Sequence, residues 1–329
     1  MSTILSVQDS TVSVAPAVGD LEQHRAELRA YCYRMLGSPF DAEDAVQDTF
    51  VRAWRSRESF QGRAAVRSWL YRIATNICLD LLSSKERRIR PMDLGPAVAP
   101  VESNLNVRVE ATWHEPIPTQ LIRDPADIAV ERESIRLAFV AALQHLPARQ
   151  RAALILCEVL RWEASEVAEL LDTTVASVNS ALQRARATMA KSNLGSKQAG
   201  RPLSQADKAM LERFVAAFER YDISALTALL RQHATQSMPP FDMWLSGRDD
   251  ILTWWFGPGI GCRGSRVISA PSANGMPTYG QYKPSPNGGH EPWALQVIEL
   301  KEGQISDITF FLDTARLFPL FGLPARLPA

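Results

Sequence analysis

The chain of 329 residues carries 36 basic and 36 acidic side chains, so its formal net charge at pH 7 is zero. That balance excludes a uniformly basic nucleic-acid-coating protein and an acidic disordered tail. With 46% hydrophobic residues, the composition is that of a globular protein with enough apolar surface for more than one core. No apolar run approaches the ~18 residues of a membrane span, and the N-terminus lacks the pattern of a signal peptide.

The four cysteines lie far apart in the sequence and form no C-x-x-C motif. This arrangement predicts a reduced, cytoplasmic protein without a structural metal site. Separately, we expect no membrane contact and no cofactor. The cysteines are Cys32, Cys78, Cys157 and Cys262.

Charge and proline content divide the chain into three folded parts joined by two linkers. Residues 49–90 hold 10 basic and 3 acidic side chains, a local net charge of +7, whereas the proline-rich segment after them is acidic. We predict a disordered tail (1–20), an N-terminal part (21–92), an acidic Pro-rich linker (93–130), a central part (131–192), a second linker (193–204) and a C-terminal part (205–329).

The N-terminal part has the apolar spacing of helices. A helix over 41–54, with Asp41 as its N-cap, has an acidic face. The next helix begins near Val66 and has a continuous apolar stripe. Two interpretations remain open: a helical bundle with solvated charged faces, or a domain that binds nucleic acid. In the second, basic residues contact phosphates while Trp69, Tyr71 and Asn76 stack on and hydrogen-bond unpaired bases.

The central part has the pattern of a helix-turn-helix motif. A short helix over 166–171 is followed by the turn 172–174 and a last helix to about Lys191. Opposite the buried stripe of that last helix lies a face of small, hydrogen-bonding and basic residues, as a helix in the major groove requires. We interpret Arg186, near the edge of the stripe, as structural.

These two parts together resemble a known family. "DAEDAVQDTFVRAW" (41–54), "WLYRIATNICLDLL" (69–82) and "LPARQRAALIL…SEVAELLDTTVASVNSALQRARATM" (146–189) are similar to the extracytoplasmic-function group of sigma-70 factors. Such proteins are bacterial RNA polymerase specificity subunits, so the resemblance implies binding to core polymerase, promoter recognition and transcription initiation. "WHEPIP" (113–118) is similar to a motif of members with an extra C-terminal domain.

The resemblance also assigns partners to individual residues. The polymerase β′ coiled coil would bind Asp41, Glu43, Asp44, Gln47 and Asp48, and the β flap is the second polymerase partner. The −10 promoter element would contact Trp69, Tyr71, Arg72, Asn76, Lys85, Arg87 and Arg88. The −35 element would contact Ala176, Ser177, Asn179, Ser180, Gln183, Arg184 and Lys191. Ser83 stands where relatives often have arginine, so we expect the basic contacts to shift to Lys85, Arg87 and Arg88. Asn179 and Ala181 also replace frequent arginines, so no promoter sequence can be carried over from a relative.

The C-terminal part changes from helical to alternating periodicity. Helices over 209–218, 223–230 and 247–256 precede strands over 265–270, 292–300 and 304–312, an α+β plan. The pattern, with "MPPFDMW" (238–244), "ANGMP" (273–277) and "FGLPARL" (321–327), resembles the cone-shaped SnoaL-like family. The G-x-G-x-x-G over 259–264 precedes a strand, so we interpret it as a loop.

A cone-shaped domain would contain a pocket for an unknown small ligand or regulator. We expect it to be lined by Met238, Phe241, Asp242, Trp244, Trp293 and Asp307. Asp242, Asp307 and Asp313 are the carboxylates that an enzyme of this fold could use, although fold alone confers no activity.

Three functions remain open at this stage. The leading one is a sigma factor, not an enzyme, whose C-terminal domain modulates its activity. The second is a transcription factor that binds DNA independently of polymerase, and the third is a SnoaL-like cyclase, isomerase or hydrolase fused to a DNA-binding module. The acidic helix 41–54 argues against the second, because such a face suits a basic protein partner.

Overall fold

The computed structural model describes residues 18–60, 65–84, 87–108, 110–122, 136–191 and 203–329. Helices occupy the N-terminal and central parts, and a single sheet with its own helices forms the C-terminal part, as the sequence predicts. Within the described ranges no helix is both long and apolar enough to cross a membrane.

The N-terminal part is built from α1 (Val18–Glu22), α2 (Arg25–Leu36), α3 (Pro39–Ser56) and α4 (Val66–Ser84). Helix α3 begins two residues earlier than predicted, because Ser38 and not Asp41 is its N-cap. The Ser38 hydroxyl accepts hydrogen bonds from the amides of Phe40 and Asp41, at 3.2 and 3.3 Å. The Asp41 carboxylate is therefore left to pair with Arg88.

The central part contains α5 (Leu137–Leu143), α6 (Ala148–Leu154), α7 (Ala164–Leu170) and α8 (Val175–Lys191). A π-helical turn over Ile155–Val159 continues α6. The turn between α7 and α8 includes Asp172 in the left-handed region, with φ of 50°. Helices α7 and α8 form the predicted helix-turn-helix.

The N-terminal and central parts share one continuous hydrophobic core. The aromatic rings of Tyr71 on α4 and Trp162, just before α7, lie 5.1 Å apart between centroids. Both side chains are buried. The two parts therefore pack directly against each other in a closed arrangement.

The C-terminal part combines helices with a six-stranded sheet. Its helices are α9 (Gln205–Arg220), α10 (Ile223–Leu229), α11 (Arg248–Phe256) and α12 (Thr314–Leu320). Its strands are β1 (Leu230–Ser237), β2 (Trp244–Ser246), β3 (Arg266–Ala273), β4 (Met276–Pro284), β5 (His290–Lys301) and β6 (Gln304–Phe311). The spatial order is β2-β1-β6-β5-β4-β3, and the pairing of β1 with β6 is parallel. The predicted strands are β3, β5 and β6, while β1, β2 and β4 are additional.

The two faces of this sheet have different neighbours. One face packs on α9, α10 and α11 and forms the main core of the part, including Ile298, Ile308 and Phe310. The other face carries the alternate residues, such as Val297 and Phe311, and packs on α12. On the helix side Trp255 Nε1 donates a hydrogen bond of 2.7 Å to Gln236 Oε1, and a cavity of about 560 Å³ lies between α9 and strands β3 and β4.

The acidic linker is extended in backbone, yet it packs closely against folded parts. Its described residues form short 3-10 turns and isolated bridges to the C-terminal sheet part, including Val107 with Phe241 and Pro118 with Ala273. Ile117 and Ile122 are fully buried. The segment thus joins the N-terminal and C-terminal parts and does not merely span the distance between them.

Candidate functional site

The predicted polymerase-binding face of α3 splits into an engaged end and an exposed strip. Asp41 pairs with Arg88 and Glu43 pairs with two arginines of α2, at 2.7 to 2.8 Å. Asp44, Gln47 and Asp48 are exposed. These three residues are the part of the predicted set that is available to a partner.

Two exposed apolar residues extend that strip, and sequence reasoning missed their role. Val51 is 46% exposed and Trp54 is 43% exposed. They line a surface cavity of about 260 Å³ together with Leu21 and Phe50. The signal available in the sequence was the position of Val51, seven residues after Asp44 on the same helical face.

The predicted −35 face of α8 is open to solvent along its whole described length. Its exposed residues are Ala176, Ser177, Asn179, Ser180, Gln183 and Arg184. The side chain of Lys191 lies outside the described residues. Arg186 pairs at 2.5 Å with Glu158, which lies in the π-helical turn that follows α6. This ion pair is in line with a structural role.

The predicted −10 residues differ widely in their exposure to solvent. Asn76, Arg72 and Arg87 are exposed, and Trp69 is half-buried against the ring of Phe60. Tyr71 is fully buried, and this burial raises its pKa. Lys85 lies outside the described residues.

All three described basic −10 candidates contact other parts of the chain, Arg87 through the ring of His145 at 3.1 Å. Arg88 is only 11% exposed, and its guanidinium pairs with Asp41 at 2.7 Å and Glu115 at 3.3 Å. Arg72 donates a hydrogen bond of 2.7 Å to the carbonyl of Glu169 in the central part. The structure therefore brings the −10 candidates to one region but covers part of it with the central part and the linker.

One buried arginine holds the central part against the N-terminal part. Arg151 is 3% exposed and donates to the side-chain and main-chain oxygens of Gln144, at 2.6 and 3.1 Å. It also donates to the carbonyls of Leu146 and Met35, the latter at the end of α2. Burial lowers the pKa of Arg151 to about 10. Such a buried charge requires all these acceptors, because an unsatisfied charge in a core is very costly.

The "WHEPIP" and "ANGMP" motifs meet in the structure and form a joint. Asn274, at the turn between β3 and β4, accepts a hydrogen bond of 3.0 Å from the amide of Ile117 and donates one of 2.9 Å to the hydroxyl of Tyr33. Tyr33 in turn donates to the carbonyl of Glu115 at 2.8 Å. Asn274 has φ of 51°, a conformation that asparagine tolerates better than most residues. The joint therefore connects the N-terminal part, the linker and the C-terminal part through buried polar contacts.

Three predicted pocket residues of the "MPPFDMW" segment contact the linker, whereas Pro239 of the same segment lines a cavity on one face of the sheet. Asp242 pairs with Arg108 at 2.7 Å, and Trp244 donates to the carbonyl of Gly95 at 2.9 Å. Phe241 forms the bridge with Val107.

The remaining pocket candidates are also dispersed. Met238 is buried in the core on the helix side of the sheet, and Trp293 stacks with Lys283 at 3.1 Å. Asp307 lines a cavity on the other face of the sheet. The structure thus does not bring the six predicted residues together into one pocket. Asp313, the third carboxylate, is 46% exposed and pairs with Arg316.

Comparison with known proteins connects these surfaces to a family. Sigma-70 region 2 matches residues 21–88, and Sigma-70, region 4 matches residues 136–189. Over 311 residues the chain is 43% identical to the ECF RNA polymerase sigma factor SigG of Mycobacterium tuberculosis, covering 93% of this chain and 83% of SigG. The chain belongs to the extracytoplasmic-function family of sigma factors.

A second relative shows the same organisation of the fold. The ECF sigma factor SigJ of Mycobacterium tuberculosis is 30% identical over 221 residues, 66% of this chain and 63% of SigJ. The crystal structure of SigJ superposes with a TM-score of 0.61, covering 94% of this chain and 100% of that structure at 21% identity. The predicted order of helical sigma regions followed by an α+β domain is confirmed.

The family settles the general function as that of an RNA polymerase sigma factor. The N-terminal part is region 2 and the central part is region 4. A SnoaL-like enzyme with an unrelated DNA-binding module is not favoured, because the similarity to SigG continues over nearly the whole chain.

Proposed function

We propose that the exposed strip of α3 binds core polymerase at the β′ coiled coil. Asp44, Gln47 and Asp48 offer an acidic and hydrogen-bonding surface, while Val51 and Trp54 add apolar contact area beside it. Acidic groups around exposed apolar anchors are the composition of a protein-binding surface. Asp41 and Glu43 form ion pairs within the chain, so they position α3 and do not contact the polymerase directly.

Region 4 supplies the surface for the −35 element. The exposed face of α8 has small side chains that allow close approach to base edges, and Gln183 and Arg184 can form hydrogen bonds with them. The β flap is the polymerase partner proposed for region 4.

Region 2 supplies the surface for the −10 element through a subset of the predicted residues. Asn76, Arg72, Arg87 and Trp69 remain candidates for direct contact with unpaired bases and phosphates. Tyr71 becomes available only if region 4 leaves α4, because Trp162 packs on its ring. Arg88 has a structural role in this arrangement.

The C-terminal domain regulates transcription by docking on regions 2 and 4, and it does not turn over a substrate. The observation that carries this proposal is the joint, in which Asn274 contacts both Tyr33 of region 2 and Ile117 of the linker. A domain attached in this way biases the equilibrium between closed and open arrangements of the two DNA-binding regions.

The polymerase assignment is tested by charge reversal on α3. We expect the double variant Asp44→Lys and Asp48→Lys to lose binding to core polymerase in a pull-down while region 4 still binds DNA. The matched control reverses Glu58 and Asp80, which are exposed acids of region 2 outside the strip, and should retain binding. Retention of core binding by the Asp44 and Asp48 variant would refute the assignment.

The regulatory role is tested by loosening the joint without deleting a domain. Asn274→Gly keeps the left-handed turn conformation and removes the side-chain hydrogen bonds to Ile117 and Tyr33. Run-off transcription with core polymerase should change at least threefold, in either direction, relative to the unaltered chain. The exposed turn variant Asn287→Gly is the control. Identical transcript levels for Asn274→Gly and the unaltered chain would count against regulation by docking.

A further inference from the structure

A cavity of about 550 Å³ lies where the C-terminal sheet meets the sigma regions. Its floor is the sheet face opposite to α9, α10 and α11. Ile89 to Met92 of the chain after region 2 line one side, and Leu137 and Ala138 of α5 in region 4 line another. A volume of this size accommodates a small molecule. All three parts of the chain would contact whatever occupies it.

The floor of the cavity carries an acid at its centre. In the sheet register Asp307 of β6 lies between Thr235 of β1 and Glu299 of β5, and the next row contains Ser237, Thr309 and Val297. The hydroxyls of Thr235 and Thr309 donate hydrogen bonds to the Asp307 carboxylate, the latter at 3.2 Å. The carboxylate lies deep in the protein and keeps its accessible surface because it faces the cavity.

Most charges around the cavity are paired, and the described charged lining residues without an ion pair are the acid Asp307 and the base Lys301. Arg136 pairs with Glu299 at 2.8 Å, Arg90 pairs with Asp93 and Arg231 pairs with Glu302. Among the described residues Asp307 has no ion-pair partner, although Glu299 lies directly beside it. Burial, together with the Glu299 charge, raises the pKa of Asp307 to about 6. Near neutral pH the carboxylate is therefore mostly ionised in a poorly solvated place, an arrangement that a bound cation stabilises.

The surroundings of Asp307 define what kind of cation fits. Ser237 and Thr309 offer hydroxyl oxygens beside the carboxylate, so an ammonium group has several acceptors in addition to the ion pair. Met276, Val297 and Phe311 provide apolar contact area next to them. His233 and Lys301 also line the cavity, on the part of the sheet toward the turn between β5 and β6. This combination favours a primary amine with an apolar body.

We propose that the cavity is a binding site for a small organic amine, seated with its ammonium group on Asp307 and enclosed by residues 89–92 and by α5 of region 4. This site lies on the sheet face opposite to α9, α10 and α11. An amine bound there contacts the sheet, residues 89–92 and region 4 at once, so it stabilises the closed arrangement of the chain.

The test is a calorimetric titration of the full-length protein at pH 7.5 with three probes of similar shape. They are 2-phenylethylammonium chloride, the neutral 2-phenylethanol and the anionic 3-phenylpropionate, at equal ionic strength. We expect the amine to bind at least tenfold more tightly than the alcohol or the acid. Equal affinity for amine and alcohol would overturn the proposal.

Two variants separate the role of Asp307 from that of the enclosing region 4 helix. Asp307→Asn should abolish the preference for the amine, whereas Asp313→Asn, an exposed acid on the same domain, should preserve it. Ala138→Phe should lower amine affinity at least tenfold, because the ring enters the cavity from α5. A preference that survives Asp307→Asn, or an affinity unchanged by Ala138→Phe in a protein with a normal melting transition, would contradict the proposed site.

Neither polymerase nor DNA enters this titration. Its failure would therefore leave the assignment of the polymerase-binding and promoter-binding surfaces untouched.

Discussion

The two surfaces proposed for promoter DNA differ in how much of each the rest of the chain covers. The −35 face of α8 is exposed at every described candidate position, whereas Tyr71 of the −10 surface is buried beneath Trp162 and Arg72 is bonded to region 4. The contact of Trp162 with Tyr71 covers part of the −10 surface and leaves the −35 face of α8 exposed. In the closed arrangement the proposed surface for the −35 element is therefore fully exposed, whereas the proposed surface for the −10 element is only partly exposed.

This difference shows that access, and not residue identity, distinguishes the two surfaces. Both have the residue types that nucleic acids need. We propose that the ring of Tyr71 becomes accessible when regions 2 and 4 separate, and that binding of core polymerase drives this separation.

The largest expected effect comes from removing Arg151, which bonds the central part to the end of α2 in the core that regions 2 and 4 share. Arg151→Ala leaves the carbonyls of Met35, Gln144 and Leu146 without this donor inside the shared core. Each buried carbonyl left unsatisfied costs about 1–3 kcal/mol, so the free energy of unfolding should fall by at least about 3 kcal/mol in urea denaturation. Arg149→Ala, an exposed neighbour on the same helix, should change it by no more than about 0.5 kcal/mol. Equal stability of the two variants would refute the role of Arg151.

A smaller effect is expected on the exposed surface. Arg184→Ala should weaken binding to −35 duplex DNA by about 1–3 kcal/mol and relax sequence preference at one position, if it contacts a base edge. The loss should appear in the free protein as well as in the holoenzyme, because α8 is already exposed. Arg186→Ala, whose guanidinium pairs with Glu158, should cost less than about 1 kcal/mol. A uniform loss over all sequences would instead identify Arg184 as a phosphate contact.

The smallest effect is expected on the −10 surface, which region 4 partly covers. Asn76→Ala should weaken open-complex formation on the −10 element by about 1 kcal/mol, the typical net value of one hydrogen bond. The same variant should leave duplex binding by the free protein unchanged, since that binding uses α8. Ser83→Ala, exposed near the end of α4, is the control. A loss of the same size in the free protein would show that the −10 surface is accessible before polymerase binds.

Much of the fold follows from local periodicity. The apolar stripe of α4, the turn between α7 and α8, and the hairpin at Glu302 and Gly303 are all specified by residues close together in the chain. The helix cap at Ser38 was missed because Asp41 is also a good capping residue, and the choice depends on the pairing of Asp41 with the distant Arg88. Strand β1 was missed because its sequence is largely polar. Its outward residues face the cavity and the sigma regions, where hydroxyls and charges are tolerated.

The contacts between parts could not be predicted from local pattern. The apolar stripe of α4 predicts one buried face of that helix. Tyr71 lies on a different face, which is buried because region 4 packs on it. The motifs "WHEPIP" and "ANGMP" lie more than 150 residues apart, and nothing in either shows that Asn274 contacts Ile117. For the same reason Phe241, Asp242 and Trp244 were interpreted as pocket residues although they contact the linker.

The separation of regions 2 and 4 is measured most directly as a distance. Spin labels at two exposed positions, Ser84 on α4 and Ala190 on α8, report it by double electron–electron resonance once Cys157 and Cys262 are replaced by serine. The free protein should give one short, narrow distance distribution, and core polymerase should shift it to a longer distance. A free protein that already shows the long distance of the polymerase complex would contradict the closed arrangement.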